Sequence, residues 1–196
     1  LRIFAIEARS SGPVPCAGLL VCNHLSYLDI LVLGSLAPAV FVAKREVKSW
    51  PVFGWFAILA GTLFVDRNRR SHVGEVTHEI ELALRQHVGV ILFPEGTSSG
   101  GATVLPFKTS LLEPAVGRAM ISAGLIQYEL DDGEVSEEVC YWKDMTLVPH
   151  LINLLGKRNV RASVQFTQIR PGDADRKELA RQLHSELMRL KQDLAV

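Results

Sequence analysis

The sequence predicts an α/β fold: a single domain over residues 1–196, in which a mixed sheet is flanked by helices. Two observations lead to this prediction. Short apolar runs rich in β-branched residues alternate with longer segments of helical periodicity, which is typical of helices packed on a sheet. The chain of 196 residues, 48% of them hydrophobic, is also long enough to bury a substantial core in one domain.

The predicted strands are short apolar runs bounded by turn residues, at 18–23, 40–43, 63–66, 88–93, 120–128 and 160–169. The predicted helices cover 26–36, 71–87, 108–117, 144–155 and 175–194. The last helix has the clearest pattern. Asp175 and Glu178 form a capping box there, and leucines recur at helical spacing from Leu179 to Leu194. The stretches 98–106 and 131–138 are predicted to be loops.

Charge is balanced over the whole chain but not locally. The 21 basic and 21 acidic residues cancel, so net charge does not favour nucleic acid as a partner. Between residues 44 and 70, however, six basic residues stand against two acidic ones. Residues 129–138 hold six acidic residues and no basic one.

The number of cysteines and the length of the apolar runs indicate the cellular compartment and whether the chain could cross a membrane. Cys16, Cys22 and Cys140 are odd in number and lack the spacing of a metal site, so we expect a reducing compartment and neither a disulfide framework nor bound zinc. The first residues lack the basic lead and apolar core of a signal peptide. The uncharged runs 30–43 and 49–65 fall short of the roughly 20 apolar residues that span a bilayer, so we expect no transmembrane helix in this sequence.

The segment WPVFGWFAILAGTLFV, residues 50–65, is apolar and aromatic throughout. A segment of this composition has two interpretations. The favoured one is a buried part of the core. The other is a surface that dips into a lipid interface.

A histidine and an aspartate interrupt the apolar sequence CNHLSYLDILV, residues 22–32. In one regular helix His24 and Asp29 would point about 140° apart and could not meet. They can meet if His24 leaves the carboxyl end of a strand and Asp29 lies in the first turns of the next helix. Open α/β sheets bind ligands at that edge, and an imidazole oriented by a carboxylate can take a proton from an alcohol there. The spacing alone is weak evidence, and Ser26 fits a helix start better than a nucleophile.

A second polar motif, FPEGT at residues 93–97, directly follows an apolar run. Pro94 cannot continue a central strand, and Gly96 permits an unusual backbone turn. Glu95 and Thr97 therefore place polar groups at the carboxyl end of a strand. Taken alone, this pattern also fits a turn with a solvated glutamate.

Taken in order, these stretches resemble the glycerolipid acyltransferase family, of the lysophosphatidate acyltransferase type. NHLSYLD matches the family's first block, Asn-His-x4-Asp, GTLFVDR at 61–67 matches the second, and FPEGT matches the third. LPFKTS at 105–110 resembles the segment that follows. The resemblance runs from about residue 18 to 128, and VCYWKDMTLVPHL is more loosely similar to bacterial enzymes that acylate lyso-ornithine lipid.

This resemblance implies transfer of a fatty acyl group from acyl-CoA or acyl-carrier protein to the free hydroxyl of a lysolipid. The first expectation is 1-acyl-sn-glycerol-3-phosphate, which gives phosphatidate; lyso-ornithine lipid or another lysophospholipid is the alternative. The resemblance implies no metal and no cofactor beyond the thioester co-substrate, because a thioester is already activated. It also implies a partner membrane surface, with the protein on its cytoplasmic face, peripheral or anchored by a segment outside this sequence. The basic residues between 44 and 70 suit an anionic head group or membrane.

The resemblance assigns roles residue by residue. His24 would be the general base and Asp29 its orienting partner. The lysolipid head would be bound by Gly61, Thr62, Arg67, Glu95, Gly96 and Thr97.

Two positions depart from the family pattern, and two other functions stay open. Ala123 stands where the fourth block has a proline, and Ser98 stands where an arginine often follows the third block. A hydrolase acting through Ser26 is one alternative, although no Gly-x-Ser-x-Gly elbow is present. A non-catalytic lipid-binding module that uses residues 50–65 is the other.

Overall fold

The structure is a computed structural model that describes residues 6–50, 53–66, 70–118 and 120–193. Within these residues the strands are β1 Ile6–Ser11, β2 Leu19–Cys22, β3 Ala39–Lys44, β4 Leu63–Val65, β5 Gly89–Leu92, β6 Ile121–Glu129 and β7 Val160–Ile169. The α-helices are α1 Leu28–Leu36, α2 Phe53–Leu59, α3 Arg70–Arg85, α4 Val135–Glu138, α5 Leu147–Leu155 and α6 Arg176–Asp193. Short 3-10 turns cover Arg45–Ser49, Thr109–Leu111 and Glu113–Ala115.

The strands form one mixed sheet in the order β1-β7-β6-β2-β5-β3-β4. Every neighbouring pair is parallel except β6 and β7, which are antiparallel. Strands β2 and β5 are buried at every position, as expected for central parallel strands that are covered on both faces. The predicted α/β class with a mixed sheet is confirmed, and β2 lies at its centre.

Two hydrophobic cores lie on the two faces of the sheet, because alternate residues of a strand point to opposite faces. Val21 of β2 belongs to the core that contains Leu183 of α6. The next residue, Cys22, belongs to the core that contains Leu28 of α1. Helices therefore cover both faces of the central strand, and its carboxyl end is left as the place where polar residues can gather.

The predicted C-terminal helix is confirmed, and its leucines face the core. Leu179, Leu183, Leu187 and Leu190 are each at most 2% exposed, whereas Leu194 lies outside the described residues. Asp175 accepts hydrogen bonds from the backbone N–H groups of Lys177 and Glu178, both 2.8 Å. The carboxylate thus caps the helix as its position predicts.

The prediction of a helix over 108–117 is wrong. Two separate 3-10 turns, Thr109–Leu111 and Glu113–Ala115, occupy this stretch. Pro114 explains the break, because it has no backbone N–H to donate to the preceding turn of an α-helix. Gly117 then adopts a positive φ of 73° and ends the segment.

Sequence patterns also miss three elements, β1, α2 and α4, and α2 lies in the apolar stretch 50–65. Strand β1 pairs with β7 at the edge of the sheet, but only one of its six residues is buried, so it shows no apolar alternation. Part of the predicted loop 131–138 forms the single-turn helix α4. Short or exposed elements of this kind depend on tertiary contacts rather than on a hydrophobic pattern.

The interpretation of residues 50–65 as buried core is wrong for one face of α2. Trp55 is 77% exposed and Leu59 is 82% exposed, and Ile58 beside them is 47% exposed. Among the residues that the structure describes, no helix is both long and apolar enough to cross a membrane.

Candidate active site

His24 and Asp29 meet at the carboxyl end of the central strand. His24 follows β2, and Asp29 lies in the first turn of α1. His24 Nδ1 is 2.7 Å from Asp29 Oδ2. The predicted geometry is therefore confirmed: the histidine lies outside the helix, and the aspartate reaches back to it.

Asp29 is fully buried and accepts hydrogen bonds from four groups. Its Oδ2 contacts His24 Nδ1 at 2.7 Å and accepts from the backbone N–H groups of Leu25 at 2.7 Å and Ser26 at 3.1 Å. Its Oδ1 accepts from the hydroxyl of Tyr128 at 2.7 Å. Because a carboxylate only accepts, the shared proton belongs on Nδ1, and Nε2 of His24 carries the lone pair.

Phe93 fixes the orientation of the His24 ring, while Nε2 of the ring has no hydrogen bond recorded within the described part of the chain. The imidazole stacks on Phe93 with a centroid distance of 4.3 Å and an angle of 18° between the planes. The side chain of His24 is 22% exposed, and among the described residues no group hydrogen-bonds to Nε2. This nitrogen is therefore available to accept a proton from a bound molecule.

Asn23 is a site residue to which no role was given from the sequence. Its side-chain amide accepts from the backbone N–H of Ile126 at 2.8 Å and donates to the backbone oxygen of the same residue at 3.0 Å. The Asn23 side chain thus takes the place of a backbone partner, and it extends the hydrogen bonds between β2 and β6 by one residue. It fixes the backbone immediately before His24. In the sequence, only its position next to His24 in the first block indicated that Asn23 belongs to the site.

Glu95 is buried against the same loop and not solvated. It is 2% exposed, and its Oε1 accepts from the backbone N–H of His24 at 3.1 Å. Burial raises the pKa of Glu95 from 4.5 to about 7, although nearby backbone N–H groups lower it, and the charge of Asp29 raises it further. Its Oε2 is buried and has no hydrogen-bond partner among the described residues. A buried oxygen of this kind is suited to a polar group of a ligand.

The rest of the FPEGT motif shapes the turn. Gly96 has a φ of +74°, a conformation in which glycine is the residue without steric cost, and its N–H donates to Phe93 O at 3.2 Å. Thr97 is exposed, and its hydroxyl donates to Ser98 O at 3.5 Å rather than to the histidine loop. Gly96 therefore sets the backbone path, while among the described residues no hydrogen bond joins the Thr97 side chain to His24.

The first two residues of the second motif lie just before β4, at one edge of the sheet. Gly61 lies beside Val40, near the start of β3, where an added Cβ would be 3.4 Å from the valine side chain. Thr62 directly precedes β4, whose first residue Leu63 pairs with Val42, and strands β5 and β3 lie between β4 and β2. That Gly61 and Thr62 bind the lysolipid head stays a prediction. Arg67, which follows the carboxyl end of β4, lies outside the described residues.

The segment between α4 and α5 covers residues 24–29, the candidate catalytic loop, and no site role for this segment was predicted from the sequence. The N–H of Tyr141 donates to Leu25 O at 2.8 Å, and the hydroxyl of Ser98 donates to Tyr141 O. Trp142 packs against Gly100 so closely that an added Cβ would be 2.6 Å from its ring. In the sequence, only the looser similarity of this segment to one acyltransferase subgroup indicated that it belongs to the site.

Ser26 is placed where a nucleophile would not be reached. It is 0% exposed, and its hydroxyl has no hydrogen-bond partner among the described residues. The Asp29 carboxylate binds its backbone N–H, so the residue helps to form the turn before α1. The hydrolase alternative through Ser26 loses its structural basis. In the part of the chain that the structure describes, no three histidine, cysteine or acidic side chains are grouped to hold a metal ion.

Glu95→Gln is expected to stabilise the protein at alkaline pH. The folded pKa of Glu95, about 7, lies above its ordinary 4.5, so the folded state favours the protonated carboxyl. The associated stability is present below pH 4.5 and is lost as pH rises through 7. Gln mimics the protonated form. Between pH 5 and pH 8, the free energy of unfolding of the wild type should therefore fall by about 2–3 kcal/mol more than that of the variant.

Urea unfolding at the two pH values measures this difference. Glu79→Gln, which changes an exposed glutamate of α3 in the same way, is the matched control and should follow the wild type. Equal pH dependence for wild type and Glu95→Gln would show that Glu95 is ionised at little cost in the folded state.

Comparisons with known proteins identify a family and several relatives. A family model described as Acyltransferase matches residues 8–127. A lyso-ornithine lipid O-acyltransferase of Brucella abortus is 36% identical over 97% of this chain and 78% of its own length. A 1-acyl-sn-glycerol-3-phosphate acyltransferase of Neisseria gonorrhoeae is 32% identical over 82% of this chain and 64% of its own length.

A solved structure shares the fold. The crystal structure of a 1-acyl-sn-glycerophosphate acyltransferase of Thermotoga maritima aligns with a TM-score of 0.67 at 22% identity, over 97% of this chain and 73% of that one. At this identity the likeness concerns the fold alone. The sheet and its flanking helices are therefore an arrangement already seen in a solved protein.

Proposed function

This chain belongs to the acyltransferase family, and on that premise we propose that it transfers a fatty acyl group from a thioester to the free hydroxyl of a lysolipid. One observation carries the proposal. The buried carboxylate of Asp29 holds His24 by Nδ1, and Nε2 remains open at the carboxyl edge of the sheet. A thioester substrate needs a base of this kind and no enzyme nucleophile.

In the proposed reaction, Nε2 of His24 takes the proton of the lysolipid hydroxyl as its oxygen attacks the thioester carbonyl carbon. The new C–O bond forms, the C–S bond breaks, and the leaving thiolate takes the proton back from the imidazolium. Asp29 stabilises that transient cation and fixes the ring for both steps. The products are the diacylated lipid and a free thiol of CoA or acyl-carrier protein.

Glu95 is the proposed contact to the acceptor. Its Oε1 is engaged by the backbone of His24, whereas its buried Oε2 has no partner among the described residues. A hydroxyl or amide of the acceptor bound to Oε2 would lie beside the base. The pKa of about 7 allows the carboxyl to accept or to donate near neutral pH.

Between the two acceptors named by the relatives, lyso-ornithine lipid is favoured. The relative with that name matches 97% of this chain, including the segment that covers the catalytic loop. Ser98, which stands where an arginine often follows the third motif, uses its hydroxyl to hold Tyr141 of that segment and adds no charge for a phosphate. 1-Acyl-sn-glycerol-3-phosphate is the second candidate, since a relative of that name matches 82% of the chain.

An acceptor panel tests the function. Lyso-ornithine lipid, 1-acyl-sn-glycerol-3-phosphate and lysophosphatidylglycerol are each incubated with an acyl-CoA or an acyl-carrier protein, and the lipid products are read by mass spectrometry. The diacylated lipid and one free thiol per product are expected, with the highest kcat/KM for lyso-ornithine lipid. Free fatty acid as the main product would establish a hydrolase, and binding without turnover would establish a lipid-binding module.

The reaction is proposed to occur at the cytoplasmic face of a membrane, and α2 is the proposed contact. Trp55, Ile58 and Leu59 form an exposed apolar face on this helix. The adjacent 3-10 turn packs on α2 and carries exposed Arg45 and Lys48. Apolar side chains beside basic ones are suited to a surface of anionic lipids, in which the proposed acceptor also resides.

Trp55→Ser combined with Leu59→Ser is expected to weaken binding to phosphatidylglycerol vesicles by about 100-fold, because each exposed apolar side chain loses a favourable transfer into lipid. Vesicle co-sedimentation measures the binding. Leu82→Ser, which changes an exposed leucine of α3, is the control and should bind as the wild type does. Unchanged binding of the double variant would assign membrane contact to another surface.

A further inference from the structure

We propose that Tyr128 is a positioning residue, which sets the orientation and the proton affinity of His24 through Asp29. This inference rests on the proposed function, in which His24 is the base. Tyr128 lies 99 positions from Asp29 in sequence, yet its hydroxyl donates to Asp29 Oδ1 at 2.7 Å. Both side chains are buried, so water does not replace this contact.

Tyr128 is held as a hydrogen-bond donor. Burial raises the pKa of its phenol well above the ordinary value of 10.0, and the charge of Asp29 raises it further. The phenol therefore keeps its proton over the pH range in which the enzyme works. The carboxylate gains a fixed neutral donor rather than a second charge.

The two oxygens of Asp29 have different partners, which gives Tyr128 its effect. Oδ2 contacts His24 and two backbone N–H groups, while Tyr128 is the partner of Oδ1 that the structure records. The phenol thus fixes the plane of the carboxylate, and with it the direction in which Oδ2 meets the imidazole. It also draws negative charge towards Oδ1, so Oδ2 stabilises the imidazolium less than it would alone.

The phenol of Tyr128 reaches Asp29 because β6 extends further than its neighbour β2. Gly124 pairs with Cys22, the last residue of β2, and β6 continues to Glu129. Tyr128 therefore lies beyond the end of β2, beside the catalytic loop. Asn23 pairs with Ile126 on the same strand, so β6 holds both the backbone before His24 and the carboxylate that orients its ring.

Other titratable groups around Asp29 must be separated from His24 in any test. The thiols of Cys22 and Cys140 have pKa values raised by burial and by the charge of Asp29, so they stay protonated. Glu95 has a pKa of about 7 and contributes to a pH–rate profile by itself. The titration of the His24 ring is therefore followed directly by NMR, in parallel with kinetics.

Tyr128→Phe removes the donor and keeps the ring. We expect kcat to fall about tenfold with KM within about twofold, because the base is misaligned while the acceptor contacts remain. The NMR midpoint of His24 should move to higher pH than in the wild type, because Oδ2 then holds more of the negative charge. Replacing Tyr128 with 3-fluorotyrosine, a stronger donor of nearly the same shape, should move the midpoint to lower pH.

Tyr27→Phe is the matched control. Tyr27 is also a buried tyrosine, and its hydroxyl donates to His150 Nδ1 at 3.0 Å, since His150 Nε2 donates to Cys140 O. This variant loses the same atom from a hydroxyl that is bonded to His150 and not to Asp29, and it should lower stability while leaving the His24 midpoint unchanged. If both Phe variants slow the reaction equally with no midpoint shift, Tyr128 is merely structural.

Different results would refute the proposed function and the role of Tyr128. A wild-type protein that forms no lipid product with any acceptor refutes the proposed function, and the NMR midpoints still decide whether Tyr128 controls His24. If the Phe variant does not fold, the fluorotyrosine protein decides by itself. An unmoved midpoint in that protein overturns the inference.

Discussion

His24→Asn is expected to lower kcat for acyl transfer by about 10²- to 10⁴-fold, the usual contribution of a general base. Asparagine keeps a polar side chain but has no group that takes up a proton near neutral pH. Because Glu95 and the covering segment are unchanged, KM for the acceptor should change little. The measurement is thiol release with the best acceptor of the panel, under single-turnover and steady-state conditions.

His87→Asn is the control for this prediction. His87 is exposed and has a φ of 59°, a conformation that asparagine tolerates well, so the substitution repeats the chemistry without strain. It should retain full activity. A His24→Asn protein that is folded and works as fast as His87→Asn would remove His24 from the mechanism and leave the site without a base.

Asp29→Asn is expected to affect both activity and stability. The amide has one acceptor oxygen and an NH₂ group, so it cannot accept from all four donors that now surround the buried carboxylate. A protein with its NH₂ facing His24 would favour the wrong tautomer, and kcat should fall about 10³-fold or more. The free energy of unfolding should fall by about 3 kcal/mol.

Chemical denaturation and the acyltransfer assay together measure these two effects. Asp175→Asn is the control, because this exposed aspartate caps α6 through two backbone N–H groups, far along the chain from the candidate site. Because asparagine is also a good N-cap residue, this variant should change stability little and leave kcat unchanged. An Asp29→Asn protein of native stability and activity would show that the carboxylate neither orients His24 nor supports the loop.

The exposed face of α2 changes how the lipid-binding alternative is viewed. The sequence favoured a buried segment at residues 50–65, but Trp55 and Leu59 are directed outward. Under the proposed function this face and the catalytic pair are parts of one activity. Membrane contact delivers the acceptor, and His24 acts on it.

Several features could be derived from local sequence because they depend on local physics. The leucine spacing of α6 specifies which face is buried, and Asp175 provides its cap. The contact between His24 and Asp29 spans five positions, so a strand end followed by a helix start is enough to predict it. The error over 108–117 is also local, since Pro114 was present in the sequence and outweighs the helical pattern.

Other features depend on residues far apart in the chain. Glu95 meets the backbone of His24 across 71 positions, and its burial, not its neighbours in sequence, raises its pKa. For the second motif, the strand order places β5 and β3 between β2 and the strand β4 that follows Gly61 and Thr62. Neither outcome is visible in a motif, because a motif specifies residue types and order but neither burial nor the order of strands in the sheet.

The sequence by itself determined the fold class, the central strand with its histidine, and the family whose chemistry fits that pair. Periodicity and short spacings carry this information, since they act within one or two turns of chain. Only the tertiary structure decided what surrounds Asp29. Strand β6 brings Asn23's partner and Tyr128 to the loop from about 100 positions away, and the desolvation that gives these contacts their strength exists only after the sheet has formed.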